Sequence, residues 1–402
     1  MTKPAHPRPP NTHTHTQISN VCPGGGGGDG GVGDAEQVCE AVAKSMGFPT
    51  GNLVLPSSTG VIGWRLPVQA IIDVVVRLFA PLVWHDGRGY VCMPGVHRSG
   101  STPPPPNTHT QPKVLTTLQS KSIMPAAAGI ITTDRYPKVR GAAVGGGRIV
   151  GIAKGAGMIE PNLATMLVYI LTDLAVPREV LRAWLPEVVG GSFNCISVDS
   201  DQSTSDTVAL ISSGKVPIAE ADYPQAKAAL AEIARSLAED IVRNGEGTNH
   251  VIEVTVSNAP SLALARALGR HVVNSPLLKC AVAGNDPNVG RLAAAVGSYV
   301  GNNDVGVSLD QCRLLMGGKV VFKGGAFDLN PEKEAFLVEH MKSAQLEPGP
   351  LTMESGAHIA FPPHERNVKV EVDLGQPNGV SLTVYGSDLT YAYVTENADY
   401  RS

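Results

Sequence analysis

Leu230, Ile233, Ala234, Leu237 and Ile241 recur at intervals of three and four, the spacing that lays one apolar stripe along a helix, and this predicts an amphipathic helix over residues 224–244. Residues 251–256 then change period: Ile252, Val254 and Val256 alternate with Val251, Glu253 and Thr255, as a strand requires. Residues 166–171 form a short apolar run fit for a buried strand. Further strands are predicted at 278–283, 319–322, 368–372 and 380–385, and helices at 261–270, 288–297 and 331–344. Pro177 is placed to start a helix toward Val188, which Pro186 is expected to end early. Strands and helices interleave from Gln119 onward, so the predicted fold class is α/β, in mixed α+β layers.

Two stretches lack any such period. Residues 1–33 combine Pro, His and Thr with a glycine run at 24–28, and offer too little apolar surface to offset chain entropy; they are expected to be unstructured. Residues 78–112 contain four consecutive prolines at 103–106. The hexamer PPNTHT occurs in both, at 9–14 and 105–110, which marks both as low-complexity additions and 78–112 as an insertion. His13 and His15 have metal-binding spacing, but in such a tail they read as solvated surface.

Charge and cysteine content narrow the function classes. Lys plus Arg number 32 against 36 Asp plus Glu, so no basic excess points to nucleic acid or an anionic membrane, and a small-molecule or protein partner is expected. The apolar runs fall far short of the roughly 20 residues that cross a bilayer. The six cysteines show no CxxC or CxxH spacing, so no metal site is expected and the thiols read as reduced. Asp29 is the first acidic residue, and Lys3 and Arg8 precede it among Thr and Ser, loosely the composition of an organelle transit peptide.

Chemistry concentrates in KGAGMIEPNLATML, residues 154–167. Gly155 and Gly157 permit tight backbone paths, Pro161 stiffens the approach, and the small Ala164 precedes Thr165 at the head of an apolar strand. A hydroxyl is a weak nucleophile, but a Thr that becomes an N-terminus gains its own α-amine, with a reference pKa of about 8, as general base. Before cleavage the same hydroxyl can attack the Ala164 carbonyl and convert the amide into an ester that water opens. In isolation a strand Thr is more often structural.

Further blocks accompany it: STGVIG at 58–63, ITTD with YPK at 131–138, STSDT at 203–207, NGEGT at 244–248, NSPLLKCAVAGNDPNVGR at 274–291 and AYVTENADYRS at 392–402. In sequence and order these resemble the glutamate N-acetyltransferase, or ornithine acetyltransferase, family, over nearly everything from Gly51 onward except 78–112. The resemblance implies a self-processing N-terminal-nucleophile-type acyltransferase that cuts between Ala164 and Thr165. The chain then divides into a tail at 1–33, an α part at 34–164 and a β part at 165–402. Thr165 is implied as nucleophile and acetyl carrier, with Thr59 and Gly60 as the oxyanion hole. Thr132, ahead of Thr133, Lys154, Glu246, Asn397 and Ser402 are implied as substrate contacts. Lys154 would meet a carboxylate and Glu246 a cationic amine.

The implied reaction is ping-pong transfer of acetyl from N-acetylornithine to glutamate in arginine biosynthesis. No cofactor is bound, and some members of the family also take acetyl-CoA as co-substrate. Two α and two β parts pair as a heterotetramer in the family. A plastid (chloroplast) location is expected, ahead of the mitochondrial matrix or cytoplasm. Departures are Val289 where the family has Trp, STSDT for STNDT, and a glycine-rich tail where several dozen folded residues precede the region of Gly33. The alternatives are an N-terminal-nucleophile amidohydrolase or aminopeptidase passing the acyl group to water, and an inactive relative.

Overall fold

The computed structural model describes residues 30–46, 49–51, 54, 68–79, 122–160, 166–202, 206–303, 305–346 and 366–399. They fall into two compact units, Met1–Gln111 with Ser402, and Pro112–Arg401.

In the first unit two helices, α1 (Gly30–Met46) and α2 (Val68–Phe79), pack on each other. Ala35, Cys39 and Ala43 recur every four residues and form the buried stripe of α1. Two expected boundaries move. Residues 30–33, assigned to the tail, begin α1, and Leu78 and Phe79, assigned to the insertion, end α2. In both places the helix crosses the change in composition, because its hydrogen bonds are made by the backbone and do not stop where the composition shifts.

The second unit runs α3 (Met124–Ile130), β1 (Lys138–Val144), β2 (Gly147–Lys154), β3 (Leu167–Leu174), α4 (Arg178–Gly190), β4 (Ile196–Ser197), β5 (Thr207–Val216), α5 (Tyr223–Arg243), β6 (Val251–Ala259), α6 (Leu262–Val273), α7 (Pro276–Ala283), α8 (Val289–Asn302), β7 (Arg313–Met316), β8 (Lys319–Lys323), β9 (Ala326–Phe327), α9 (Pro331–Ala344), β10 (Asn367–Asp373), β11 (Val380–Ser387) and α10 (Tyr391–Asp399). The strands make a four-stranded sheet, ordered β1-β2-β3-β5, and a seven-stranded sheet, ordered β4-β11-β6-β10-β7-β8-β9. Both are mixed: β3 pairs parallel with β5, and β6 parallel with β10. This is the layered α/β arrangement the alternation of periods predicts.

α5 joins the layers. It packs on β1 and β2 along one side and on β4 and β11 along another, with Leu230, Ile233 and Leu237 buried. A β-carbon at Gly151 on β2 would lie 2.7 Å from Leu237 Cδ1, so glycine there admits the helix. On β6 the pleat separates two cores: Ile252, Val254 and Val256 pack with Leu268 and Val272 of α6, while Val251 packs with α5. Truncating Leu237, fully buried, to alanine is expected to cost about 2–5 kcal/mol.

Two predicted elements are corrected. Residues 278–283, read as a strand, are helix α7: Ser275 caps it, its hydroxyl accepting from Leu278 N at 3.5 Å, and Pro276 stands in the first turn. Leu278, Ala281 and Val282 are buried at the three-and-four spacing that a six-residue apolar run hides. Pro186 does not end α4, which continues to Gly190. Pro186 and Arg182, whose carbonyl loses its helical donor, are both exposed, so water replaces the missing bond.

Candidate active site

The hairpin of β1 and β2 closes through Gly145 and Gly146, both with positive φ (57° and 77°), the conformation of a two-residue turn that glycine adopts freely. β2 ends at Lys154, which is paired with Leu167, the first residue of β3. Lys154 is therefore carried to the head of the strand that Thr165 leads into. It is only 2 % exposed, so it is no solvated surface lysine.

Beside it lies a buried polar cluster. Asp134 Oδ1 accepts from Lys138 Nζ and from Gly155 N (2.7 Å), and its Oδ2 accepts from Thr132 N at 3.2 Å. Lys138 Nζ also donates to Asn244 Oδ1 at 2.8 Å, and that oxygen accepts from Arg135 N and Tyr136 N. Asn244, at the end of α5, thereby fixes the bend between α3 and β1. Thr132 and Thr133 sit in this bend, outside any regular strand. The polar backbone of Thr132 is tied to the Asp134 carboxylate, and a regular strand would leave that bond unmade.

Glu246 follows α5 on the next turn. Its N donates to Ala156 O at 3.0 Å, and its Oε2 accepts from Asn397 Nδ2 at 2.9 Å. Two glycines around it are steric requirements: a β-carbon on Gly247, whose φ is 63°, would stand 2.1 Å from Tyr393 N, and one on Gly157, from the loop after β2, would stand 2.3 Å from Glu246 Oε2. α10 is held by Arg135 to Glu396 at 2.9 Å and by Tyr393 Oη donating to Asp199 Oδ2 at 3.2 Å. The last described helix thus folds back on the loop after α5. Thr132, Lys154, Glu246 and Asn397 are brought to one region, while Thr59, Gly60, Ala164, Thr165 and Ser402 lie outside the described residues.

The described residues on either side of 161–165 are tied by hydrogen bonds. Upstream, Asp199 accepts from Met158 N (2.7 Å) and Ile159 N (2.8 Å), Val198 N donates to Ile159 O at 2.6 Å, and Asn274 donates to Glu160. Downstream, Met166 N donates to Asp206 Oδ1.

Burial sets the electrostatics. It pushes the Lys154 ammonium down, an effect that Lys138 reinforces and Asp134, Asp206 and Glu246 oppose. Burial alone would push Asp134 up, but Lys138 and the Gly155 N–H hold it below the usual carboxylate range. Asp206 is pushed up to about 7 by burial, against the Met166 N–H and Lys154. An open surface cavity of about 730 Å³, lined by Arg178, Leu181 and Leu210 among others, contains none of these groups. Among the described residues no group of His, Cys, Asp and Glu has the arrangement of a metal site.

The family model described as the ArgJ family matches residues 15–402. The chain belongs to the ArgJ family. It is 33 % identical over 371 residues to a relative from Nostoc sp. named arginine biosynthesis bifunctional protein ArgJ 2, covering 92 % of this chain and 78 % of that one. It is 34 % identical over 382 residues to the glutamate N-acetyltransferase of Methanopyrus kandleri, covering 93 % and 82 %. Among solved structures, the ArgJ protein of Bacillus halodurans is 30 % identical with a TM-score of 0.47, covering 58 % of this chain and 98 % of that one.

Against this ArgJ chain, the sequence reading missed Asp134, Lys138, Asn244 and Asp206. Each lies inside a block singled out there, ITTD with YPK, NGEGT or STSDT, without being given a role. A polar residue within an otherwise apolar or turn-forming block was the available signal.

Proposed function

We propose that this chain is a glutamate N-acetyltransferase that carries an acetyl group from N-acetylornithine to glutamate on Thr165, after cutting itself between Ala164 and Thr165. The observation that carries the reading, in a chain of this family, is the anchoring of both flanks of 161–165 beside buried Lys154 and the Glu246–Asn397 pair.

In the first act the Thr165 hydroxyl attacks the Ala164 carbonyl, the peptide bond shifts to an ester, and water releases the Ala164 carboxylate and the Thr165 α-amine. In the second, the hydroxyl attacks the acetyl carbonyl of N-acetylornithine. Its proton passes through the α-amine to the departing ornithine nitrogen as the C–N bond breaks. The amine of glutamate then attacks the acetyl ester, the C–O bond breaks, and the proton returns to the Thr165 oxygen. Thr59 and Gly60 supply the oxyanion donors, each worth about 3 kcal/mol. Lys154 meets the substrate carboxylate, and Glu246, held by Asn397, meets the terminal ammonium of N-acetylornithine. Thr132 and Ser402 complete the substrate contacts. Acetyl-CoA as a second donor, a heterotetramer of two α and two β parts, and a plastid location accompany the reading on the resemblance alone.

A denaturing gel and N-terminal sequencing test it. The purified chain resolves into two fragments, the larger beginning Thr165-Met166-Leu167, and Thr165→Ala leaves one uncut, inactive chain. Incubation with N-acetylornithine releases ornithine at a rate that depends on glutamate. A wild-type chain that transfers acetyl while uncut, or that releases acetate regardless of glutamate, contradicts the reading.

A further inference from the structure

α6 turns two faces to different surroundings. Ala265, Leu268, Val272 and Val273 are buried where the helix packs on β6 and β11. On the other face Ala263, Arg266, Ala267 and Arg270 follow the same three-and-four spacing and line a cavity of about 440 Å³, closed by Glu160 and by Tyr299 of α8. The two alanines leave the room between the longer side chains. His271 Nε2 pairs with Ser298 Oγ at 2.9 Å and joins α6 to α8 at the cavity wall. A space of this size suits a small molecule, and Thr132, Lys154, Glu246 and Asn397 do not line it.

Charge names the class of molecule. Arg266 and Arg270 stand one helical turn apart, a spacing at which like charges repel. Arg266 donates from Nη2 to a neutral group, Gly190 O, at 2.9 Å. Its Nε is buried without a hydrogen-bond partner, and it forms no salt bridge, among the described residues. Arg270 comes within 4.0 Å of Glu160 Oε1, while Asn274 and Ser197 donate to Glu160 Oε2. Burial is the largest influence on Arg270 and holds its guanidinium below the ordinary value against Glu160 and Cys195, and Arg266 adds to the effect. The negative end of α6 accounts for Arg270 and His271, which stand in its last turn. It does not account for Arg266, a turn further in, because that field falls off within the last turn.

We propose that this cavity binds a small anion with two or more acceptor oxygens, a carboxylate or a phosphate, between Arg266 and Arg270. The planar donor fork of a guanidinium matches either group. Two guanidinium groups facing one carboxylate leave the cavity with an excess of positive charge. At 4.0 Å Arg270 makes no hydrogen bond to Glu160 that an entering oxygen would have to break. The site takes no part in the transfer through Thr165, so either reading can fail without the other.

Titration calorimetry of the full chain tests it, with inorganic phosphate and succinate as separate probes and sodium chloride of equal ionic strength as the control. At least one probe should bind once per chain with a Kd of about 1 mM or tighter, the range that two charge-assisted contacts supply, and chloride should not reproduce the heat. Phosphate alone would identify a phosphoryl ligand, succinate alone a carboxylate ligand, and equal binding a site that reads only the oxyanion. Arg266→Gln and Arg270→Gln should each weaken the binding at least tenfold. Ala267→Glu, at an exposed position on the cavity wall, sets a carboxylate three residues from Arg270 in the place of the anion. It should fold as the wild type does and weaken the binding at least tenfold. A weaker Kd than about 1 mM for both probes overturns the proposal. So does binding that Ala267→Glu leaves within twofold, since the anion would then lie elsewhere, and this arm decides even where the arginine variants do not fold.

Discussion

Replacing Gly157 with alanine separates the position of the Glu246 carboxylate from the stability of the fold. A β-carbon at Gly157 would stand 2.3 Å from Glu246 Oε2, 2.5 Å from its Cδ and 2.7 Å from Oε1, so alanine and the carboxylate cannot share the site. Gly157 has no left-handed φ, so alanine carries no backbone penalty there. The clashing atoms are the far end of a flexible side chain, and Glu246 therefore swings away and breaks its 2.9 Å bond from Asn397. The charge-assisted bond that Glu246 is proposed to make to the substrate ammonium is worth about 1.5–3 kcal/mol net, and losing it should lower kcat/KM for N-acetylornithine about 10- to 100-fold. The fold should lose only about 1 kcal/mol, a drop of roughly 2–4 °C in Tm. Gly247→Ala is the contrast. Its β-carbon would meet backbone, 2.1 Å from Tyr393 N, at a φ of 63°, and it should melt far lower. Kinetics with N-acetylornithine and with a neutral N-acetyl amino acid, beside thermal melts and a gel for cutting, measure all three. Wild-type kcat/KM in Gly157→Ala, or equal losses on both donors, would refute the placement of Glu246 at the substrate cation.

Three further outcomes are expected. Asp206 has a folded value of about 7, above the 3.8 of a free carboxyl, so its contribution to stability is complete below about pH 4 and is lost as pH rises through 7, about 4 kcal/mol at most. Across that window the uncut Thr165→Ala chain should lose Tm more steeply than Thr165→Ala with Asp206→Asn, and parallel slopes would show that the carboxyl is not buried as described. Pro186→Ala restores the N–H that α4 lacks and should raise stability by about 1–3 kcal/mol; an unchanged or lower melt would mean the proline is compensated elsewhere. Deleting residues 80–111, which spares all of α2, should leave a soluble chain that is cut and active, and loss of soluble protein would show the segment belongs to the fold.

Elements with long, regular periods were legible from sequence. α9 has the predicted limits, and α5 begins one residue before its prediction and ends one before it, because an apolar stripe on a long helix has no other solution. Short elements were not. In α7 the apolar run is too brief to show a period, and only the Ser275-Pro276 start distinguishes it from a strand. β1, β2, β5 and β7 went unread because their faces mix small, polar and apolar residues: β5 has no fully buried position, and β1 buries only its two ends. Such strands are held by ladder bonds to their neighbours, a property of the pair that neither sequence shows alone.

The site divides along the same line. Lys154, Glu246 and Asn397 stand in blocks whose glycines or terminal position drew notice, and Gly157 and Gly247 are glycine for the contacts they permit at Glu246 and Tyr393. Asp134, Lys138 and Asn244 could not be found by period or spacing, since Asn244 lies 106 residues from Lys138 and 109 from Arg135. Their interaction has a sharp energetic signature. Lys138 and Asp134 have fully buried side chains, and two charges leave water only if attraction and further hydrogen bonds offset a desolvation cost of several kcal/mol each. The Gly155 N–H and the Asn244 carbonyl oxygen supply those bonds, one to each partner. Gly155 belongs to the block that leads to Thr165, and Asn244 to the loop that carries Glu246. The pair therefore ties the block that leads to Thr165 to the turn that carries Glu246, and neither can shift without leaving a buried charge short of a partner.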